Sequence, residues 1–267
     1  MQTEHIVTQY PDGRYVQHGC FADGAEIRIE EEYRHGRREG CVIQWFLSPP
    51  TQKRAECEYR NDVPHGRNVT WHADGTKQME CVWRDGKLDG VYSLYTGIGE
   101  PTTQYLYEEG FLKRVLRLVD PQGLDWVLPD VGTEVDVWKL GDGDRYTGHG
   151  PDLRDQETVP LFIRLRVPAD AQRVTVVNGS GTYASRVESA RVEEIVDRWG
   201  THYESARFRP CGTTYGVGDV VHVDGFDPDP TIEYGVGIRV HRHRPNEVKS
   251  TVPAQWRTGT CTTGRTQ

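Results

Sequence analysis

The stretches Trp71-His-Ala-Asp-Gly75 and Trp83-Arg-Asp-Gly86-Lys-Leu-Asp-Gly90 decide the fold of the first half of this chain. The second stretch contains most of one repeating unit. That unit has an aromatic residue, a turn residue three positions later, a glycine four positions further on, and a second aromatic five positions after the glycine. Self-similarity at a fixed period indicates an array of identical supersecondary elements.

Four copies of the unit begin at Tyr33, Tyr59, Trp83 and Tyr107, so their starting positions recur at a nearly constant interval. The fourth is expected to stop half way, because Arg114 stands where the second glycine should be. Tyr10-Pro-Asp-Gly13 is similar to a worn first copy, with Phe21 near its second aromatic position. The second glycine and second aromatic of the complete copies are Gly40 with Trp45, Gly66 with Trp71, and Gly90 with Tyr95.

Within each copy, the hydrophobic pattern predicts strands joined by tight turns. Ala55–Tyr59 and Gln78–Trp83 alternate at every second position, which is typical of strands, and Asp85-Gly86 tolerates positive φ. Residues 10–117 should therefore form one antiparallel β-meander, with the aromatics stacked along one face. Cys57 and Cys81 each stand two positions before a leading aromatic and should share its face.

At these residues the chain resembles proteins with MORN repeats, particularly the variant repeats of bacteria and viruses. The motif Tyr-x-x-Gly-x-x-x-Gly is matched at Tyr33–Gly40 and at Trp83–Gly90, and the resemblance covers the whole predicted meander. It implies a single curved antiparallel sheet that serves scaffolding, self-association or tethering. The exposed parts of the second aromatics would then form the interaction surface, namely Trp45, Trp71 and Tyr95.

Length and composition divide the chain into three segments. The 267 residues fit a repeat array at 1–117, a β-rich domain at 118–252 and a flexible tail at 253–267. The second domain is expected to cap the array and to bury Phe111, Leu116 and Leu118. Leu161, Ile163, Leu165 and Val167 alternate and should face one core.

Charge and cysteine usage restrict the partners and the compartment. The net charge is −8 with no run of Lys or Arg, which disfavours nucleic acid and anionic membranes. The first residues carry no secretory signal, no apolar run is long enough to cross a bilayer, and the six cysteines lack a framework spacing. These features indicate a soluble intracellular protein with reduced thiols.

The second domain is similar to an uncharacterised β-rich domain that accompanies MORN or pentapeptide repeats in giant DNA viruses. This resemblance implies two strands around a glycine turn at 190–208, where periodicity alone leaves helix and strand open at 187–199. The resemblance implies a large DNA virus as the source, and the excess of Arg (26) over Lys (6), which indicates GC-rich coding, agrees with a GC-rich virus of this kind. The matching segments are Trp138-Lys139, Leu165–Ala169, Ser185–Val187, Tyr215–Gly218, Gly225–Asp227 and Gly237-Ile238.

Chemical motifs in the second domain are weak. His241 and His243 could place two imidazoles on one face of a strand, but no third metal ligand is evident nearby. Asp224, Asp227 and Asp229 lack the glycine and glutamate positions of a calcium loop. Two Gly-x-Gly pairs, Gly216/Gly218 and Gly235/Gly237, lack the context of a nucleotide-binding turn.

The sequence therefore predicts a mainly β fold: a MORN-type antiparallel meander followed by a compact β-rich (α+β) domain. The expected function is a non-catalytic interaction or scaffold protein, without cofactor, whose partner is another protein or itself. It would reside in the host cytoplasm or the virion if the source is viral. Two alternatives stay open: an enzyme or ligand-binding activity in the C-terminal domain, and a structural component of the virion.

Overall fold

The computed structural model describes residues 6–9, 14–20, 26–47, 52–120, 123–146, 156–177, 185–208, 213–232 and 234–244. The chain divides into two units, Met1–Asp125 and Trp126–Gln267. Every regular element in these described ranges is a β-strand, which confirms the mainly β fold. Three predicted features lie outside the described residues: the turn of the degenerate first copy at 10–13, Phe21 and the tail at 253–267.

The first unit is a sheet of 12 strands in which each main strand pairs with its neighbours in sequence. All its pairings are antiparallel, so the predicted meander is confirmed in the described residues. Its strands are β1 (Ile6–Gln9), β2 (Arg14–Cys20), β3 (Glu26–Arg34), β4 (Arg37–Arg38), β5 (Gly40–Phe46), β6 (Gln52–Arg60), β7 (Val63–Trp71), β8 (Lys77–Arg84), β9 (Lys87–Leu88), β10 (Gly90–Tyr95), β11 (Pro101–Glu108) and β12 (Phe111–Leu118).

Each leading aromatic stands near the end of a strand and is followed by a two-residue turn with positive φ at both positions. In His35-Gly36 the φ angles are 53° and 77°, and in Asp85-Gly86 they are 48° and 79°. Asn61-Asp62 and Glu109-Gly110 repeat this geometry. Two positive φ angles define the type I′ turn, whose twist matches that of a hairpin.

A second type of turn closes the three copies of the repeat that begin at Tyr59, Trp83 and Tyr107, and it shows that the last of them is complete. His72, Thr96 and Asp120 begin this turn in successive units, at the period of the repeat. The backbone N–H of each donates to the carbonyl oxygen four positions later, and its own carbonyl accepts from the N–H three positions later. The expectation that the fourth unit stops at Arg114 is therefore wrong, because strand pairing and the closing turn continue beyond that residue.

Successive copies of the repeat are joined by one equivalent backbone hydrogen bond. Asp62 N donates to Arg38 O (3.0 Å), Gly86 N to Pro64 O (2.9 Å), and Gly110 N to Leu88 O (2.8 Å). Each type I′ turn is thereby fixed to the unit before it. At the C-terminal end of the array Val115 is 3% exposed, whereas Phe111 is 67% exposed, and the capping of this end by the second domain stays a prediction.

The second unit contains a six-stranded sheet of order β19-β18-β13-β14-β17-β20 and a three-stranded sheet of order β15-β16-β21. The region that periodicity left open between helix and strand is extended over 189–196, and this strand enters a turn at 197–200. The strands are β13 (Val135–Tyr146), β14 (Gln156–Val167), β15 (Arg173–Thr175), β16 (Ser185–Val187), β17 (Ser189–Val196), β18 (Ser205–Phe208), β19 (Thr213–Gly216), β20 (Val220–His222) and β21 (Ile238–Val240).

Both sheets of the second unit contribute to one hydrophobic core. The alternating residues of β14 form its centre and are fully buried, as the sequence predicts. They are joined by Val187 from β16 and Val240 from β21, each 0% exposed. The described part of the chain holds no helix with the length and apolarity that a membrane span requires.

Candidate interaction surface

The strand register divides the repeat sheet into two chemically different faces. Each leading aromatic lies opposite the second glycine of the preceding unit: Tyr59 opposite Gly40, Trp83 opposite Gly66, and Tyr107 opposite Gly90. Cys57 and Cys81 pair with Asn68 from either side on this same face, which confirms the predicted position of both cysteines. Because successive side chains of a strand alternate, the register also assigns the opposite face.

The second aromatics lie on that opposite face, so the expectation that all aromatics stack on one face is wrong. Five positions separate the second glycine from Trp45, Trp71 or Tyr95, and an odd separation along a strand reverses the face. The pairing register also shifts immediately before each of these three residues. The extra residue of each β-bulge lies on the partner strand, at Arg54, Gln78 and Thr102.

The face that carries Trp45, Trp71 and Tyr95 is lined by ion pairs, and we call it the charged face. Lys77 Nζ lies 2.7 Å from Glu80 Oε2, and Arg67 Nε lies 2.6 Å from Glu80 Oε1. One unit earlier, Lys53 Nζ lies 2.8 Å from Glu56 Oε2. Burial of Glu80 favours its protonated form, but the hydrogen bonds from Lys77 and Arg67 outweigh it and lower the pKa of this carboxyl.

Basic side chains of the protein itself cover parts of these rings. The Arg28 guanidinium and the Lys53 ammonium each lie 5.7 Å from the Trp45 ring centroid. Lys77 Nζ lies 5.1 Å from the ring of Tyr95, whose hydroxyl donates to Glu80 Oε2 at 3.2 Å. Several acids and bases of the charged face are therefore already paired with one another or with a ring.

The other face, which we call the uncharged face, differs in composition. From β5 to β12, its regularly paired positions hold no charged side chain in the described residues. On the adjacent strand β3 the same face holds the buried acid Glu31, whose Oε1 lies 3.4 Å from Arg38 Nε. Arg38 also lies over the Tyr59 ring, and Arg54 lies over Phe46. The face comprises Val42, Gln44, Ala55, Cys57, Tyr59, Asn68, Thr70, Met79, Cys81, Trp83, Tyr92, Leu94, Thr103, Tyr105, Tyr107 and Val115.

Aromatic side chains dominate the part of this face formed by β10 and β11. Tyr92 and Tyr105 stack with centroids 6.4 Å apart, and Tyr107 meets both edge-on at 6.4 Å. None of the three is fully buried, whereas the alternating residues of β14 in the second unit are all 0% exposed. The uncharged face thus leaves aromatic surface in contact with solvent.

The two histidines considered as metal ligands lie beside an indole. The rings of His241 and His243 meet Trp126 edge-on, with centroids 6.4 and 5.1 Å away. The backbone of His241 also pairs with Trp138 through two hydrogen bonds of 2.7 Å. In the part of the chain that the structure describes, no three His, Cys, Asp or Glu side chains converge as metal ligands.

The acidic loop at 224–229 is organised by a buried arginine. Arg186 is 1% exposed and its Nη2 donates to Asp227 O at 3.0 Å and Asp229 O at 2.8 Å. Its Nη1 donates to Ile232 O. A bound cation would have to compete with the positively charged guanidinium for these carbonyl oxygens. We therefore interpret the loop as a structural turn.

The same arginine explains one Gly-x-Gly pair. A Cβ at Gly235 would lie 2.9 Å from Arg186 Cζ, and a Cβ at Gly237 would lie 2.9 Å from Arg186 Cβ. The other pair closes a turn, in which Gly216 N donates to Asp219 Oδ2 at 2.8 Å. Both motifs therefore serve close packing or turn formation, not phosphate binding.

Sequence reasoning missed two buried polar residues of the second unit, Arg186 and Asp197. Asp197 is 0% exposed, and its carboxylate accepts from Trp199 N (2.8 Å), Thr201 N (2.9 Å) and the Tyr203 hydroxyl (3.3 Å). Desolvation favours the neutral acid, but these hydrogen bonds outweigh it and lower the pKa of Asp197. The sequence Asp197-Arg-Trp-Gly200 is typical of a turn, and this pattern could have indicated that the Asp197 side chain binds backbone N–H groups of the turn.

An open cleft of about 360 Å³ lies beside this turn and is lined mainly by acidic and aromatic groups. Arg164 at its wall binds Glu194 (3.0 Å) and Asp136 (3.2 Å). These pairs engage Arg164 and Glu194, two of the charged residues that line the cleft. Comparison with known protein families finds no model that matches the chain, and comparison with curated proteins finds no matching sequence.

Proposed function

We propose that this chain is a non-catalytic interaction protein whose repeat array binds another polypeptide through the uncharged face. The observation that carries the proposal is the contrast between two sets of hydrophobic residues. Those of β14 are completely buried within the second unit, whereas Tyr92, Tyr105 and Tyr107 remain partly exposed on the uncharged face of the repeat sheet. Aromatic residues at the centre of a patch with few charges are typical of protein interfaces.

The resemblance to MORN repeats supports this proposal, because that family serves scaffolding and tethering. The internal pairing on the charged face supports it as well. Lys53, Lys77 and Arg67 already hold the acids Glu56 and Glu80, so a partner there would have to break existing ion pairs. We therefore assign the binding role to the uncharged face instead of to Trp45, Trp71 and Tyr95.

Two tyrosines of β10 allow a matched test, since Tyr92 lies on the uncharged face and Tyr95 on the charged face. A photoreactive phenylalanine analogue replaces one or the other in the full chain, and extracts of the native source are irradiated. We expect the protein partner to be captured from position 92. Capture from position 95 alone, or from neither position, would contradict the proposal.

The proposal extends to a large DNA virus as the source, supported by the two resemblances and by the excess of Arg over Lys. Mass spectrometry of purified particles tests this extension. Detection of the chain in virions at a stoichiometric level would support a structural role in the particle. Its presence only in the infected cytoplasm would support a scaffold that acts during infection.

A further inference from the structure

We propose that the open cleft of the second unit, which we call the acidic cleft, is the docking site of a basic segment of this chain. The segment is 249–257, of sequence Lys-Ser-Thr-Val-Pro-Ala-Gln-Trp-Arg, and it lies outside the described residues. The charge of the cleft, the exposed apolar side chains of the segments that form it, and the position of Arg244 carry this inference. It concerns the second unit alone and does not depend on the function proposed for the repeat array.

Two chain segments form the acidic cleft along the edge of β17 that faces away from β14. The turn that follows β17 is held there by the hydrogen bond from Tyr203 N to Ile195 O at 2.9 Å. Val217 N donates to Glu204 O at 2.9 Å, which joins the loop before β20 to this turn. The cleft is therefore built by backbone hydrogen bonds, and its volume of about 360 Å³ lies within the range of ligand-binding sites.

The acidic cleft carries more negative than positive charge. The carboxylates of Glu193, Glu194 and Glu204 line it together with the guanidinium of Arg164. Arg164 Nε lies 3.0 Å from Glu194 Oε2, whereas Arg191 Nε approaches Glu193 Oε1 only to 3.9 Å. Within the described residues, the side chain of Glu204 makes no ion pair. The cleft therefore keeps negative charge that a basic ligand can neutralise.

Exposed apolar side chains in the same two segments favour a ligand that also carries an apolar group. Val217 lines the cleft and is 51% exposed, Trp199 in the turn is 59% exposed, and Val220 directly after the loop is 69% exposed. Apolar surface bordered by polar groups is typical of binding sites. Carboxylates beside apolar side chains fit a polypeptide that places a basic residue next to an aromatic one.

The chain itself contains such a segment. Residues 245–267 carry three basic side chains and one acid, a net charge of +2, so the remaining residues carry −10. Trp256-Arg257 places an indole beside a guanidinium. Opposite charge attracts this segment to the acidic cleft, and the covalent connection keeps its effective concentration in the millimolar range. A weak interaction is therefore enough to fill the cleft.

Arg244 brings this part of the chain close to the cleft. Its Nη2 donates at 3.2 Å to the carbonyl oxygen of Asp197, which begins the turn that forms one wall. Its Cζ lies 4.3 Å from the ring centroid of Phe162, which stands two positions, or about 7 Å, from the cleft residue Arg164 on the same face of β14. From Arg244 to Trp256 the chain can span about 40 Å, so the segment is long enough to enter the cleft.

The test uses the purified full chain with a photoreactive phenylalanine analogue in place of Trp256, and mass spectrometry identifies the crosslinked peptides after irradiation. Isotope-labelled and unlabelled chains are mixed beforehand, so that crosslinks within one chain and between two chains differ in mass. A reciprocal experiment places the analogue at Val217, which leaves the segment unaltered. We expect crosslinks within one chain, from position 256 to the turn at 197–204 or the loop at 216–219, and from position 217 to 249–257.

Charge variants of the full chain test why the segment binds. Glu204→Gln and Arg257→Gln should each lower the yield of these crosslinks about threefold, because each removes one of two opposite charges. Glu134→Gln is the control for the first variant, since Glu134 is exposed and does not line the cleft. Arg265→Gln is the control for the second, since Arg265 lies outside the segment. Both controls should leave the yield nearly unchanged, and circular dichroism verifies the fold of every variant.

Three results would overturn the proposal. The first is that neither placement of the analogue yields a crosslink between the segment and the cleft. The second is an equal yield from Glu204→Gln and Glu134→Gln. The third is that crosslinks form only between two chains, because the cleft would then take the segment of a second copy. None of these results bears on the function proposed for the repeat array, which is tested at positions 92 and 95.

Discussion

Gly66 lies directly opposite Trp83 in neighbouring strands of the repeat sheet. The glycine adopts a φ of 102°, and a Cβ at this position would lie 2.1 Å from Glu58 Oε2. The left-handed backbone conformation therefore requires glycine, and the Glu58 side chain would also have to move to admit a Cβ at this position. Gly40 opposite Tyr59 repeats the arrangement, with a Cβ distance of 2.5 Å to Glu32.

Replacing Gly66 with Ala should destabilise the array by at least about 2 kcal/mol, since both strain and collision oppose the methyl group. Chemical unfolding followed by tryptophan fluorescence measures the loss. Gly97→Ala is the control, because a Cβ there meets nothing within 4 Å. Equal unfolding midpoints for the two variants would contradict the proposed role of Gly66.

Trp83→Ala should destabilise the array by about 3 kcal/mol, at the lower end of the range for buried aromatics, because the indole is only partly buried. Its Nε1 atom is nevertheless inaccessible to solvent. Trp199 is 59% exposed, so Trp199→Ala should change stability by less than about 0.5 kcal/mol. Thermal melts of both variants measure the difference, and an unchanged melt for Trp83→Ala would place its side chain in solvent.

Arg186→Leu should destabilise the second unit by at least about 3 kcal/mol, because the carbonyls of Asp227, Asp229 and Ile232 lose a charged donor. Arg191→Ala on β17 is the control, since its side chain is 63% exposed. Hydrogen exchange should increase throughout 226–232 in the first variant only. Unchanged exchange in that loop would show that the guanidinium does not hold it.

Stability should depend on pH through Asp197, whose pKa is lowered in the folded protein. A lowered folded pKa means that the stabilisation is complete above the unfolded value of about 3.9. It is lost as the pH falls through the folded value. The difference in unfolding free energy between the native chain and Asp197→Asn should therefore be constant near neutral pH and shrink below about pH 4. A difference that grows on acidification would reverse the assigned direction.

Cys81 should resist alkylation in the folded chain. Burial raises the pKa of its thiol to about 11, so at pH 8 only about one part in a thousand is the reactive thiolate. The side chain is also 1% exposed, whereas Cys41 is partly accessible. Mass spectrometry after iodoacetamide treatment should find Cys41 modified well before Cys81, and the two should react alike in denaturant. Equal rates without denaturant would contradict the assigned burial.

The repeat architecture could be predicted from sequence because its determinants are local. The spacing of Trp83, Gly86 and Gly90 defines a strand, a type I′ turn and the return strand within one short stretch. The assignment of faces was also available, since the five positions from Gly90 to Tyr95 form an odd interval. The fourth unit was misjudged because Arg114 lacks the glycine, although the turn at Asp120 keeps the period of the array.

The buried arginine of the second unit could not be predicted in this way. Arg186 stands between Ser185 and Val187 on a short strand, and nothing adjacent marks it as 1% exposed. Its partners Asp227, Asp229 and Ile232 lie far along the chain, beyond several intervening strands. The burial of Arg186 follows from how the strand and the loop meet, and sequence periodicity carries no information about that contact.

The hydrogen bond from the N–H of Gly86 to the carbonyl of Pro64 joins two units through backbone atoms alone, as does the bond from Gly110 to Leu88. Side-chain identity at the accepting position is free, and Arg38, Pro64 and Leu88 all occupy it. Duplication of one repeat length within the gene would therefore create a new unit that docks on its neighbour without any compensating substitution. Descendants of this protein can therefore lengthen or shorten the array by whole copies of the repeat, while the residues at its two ends stay the same.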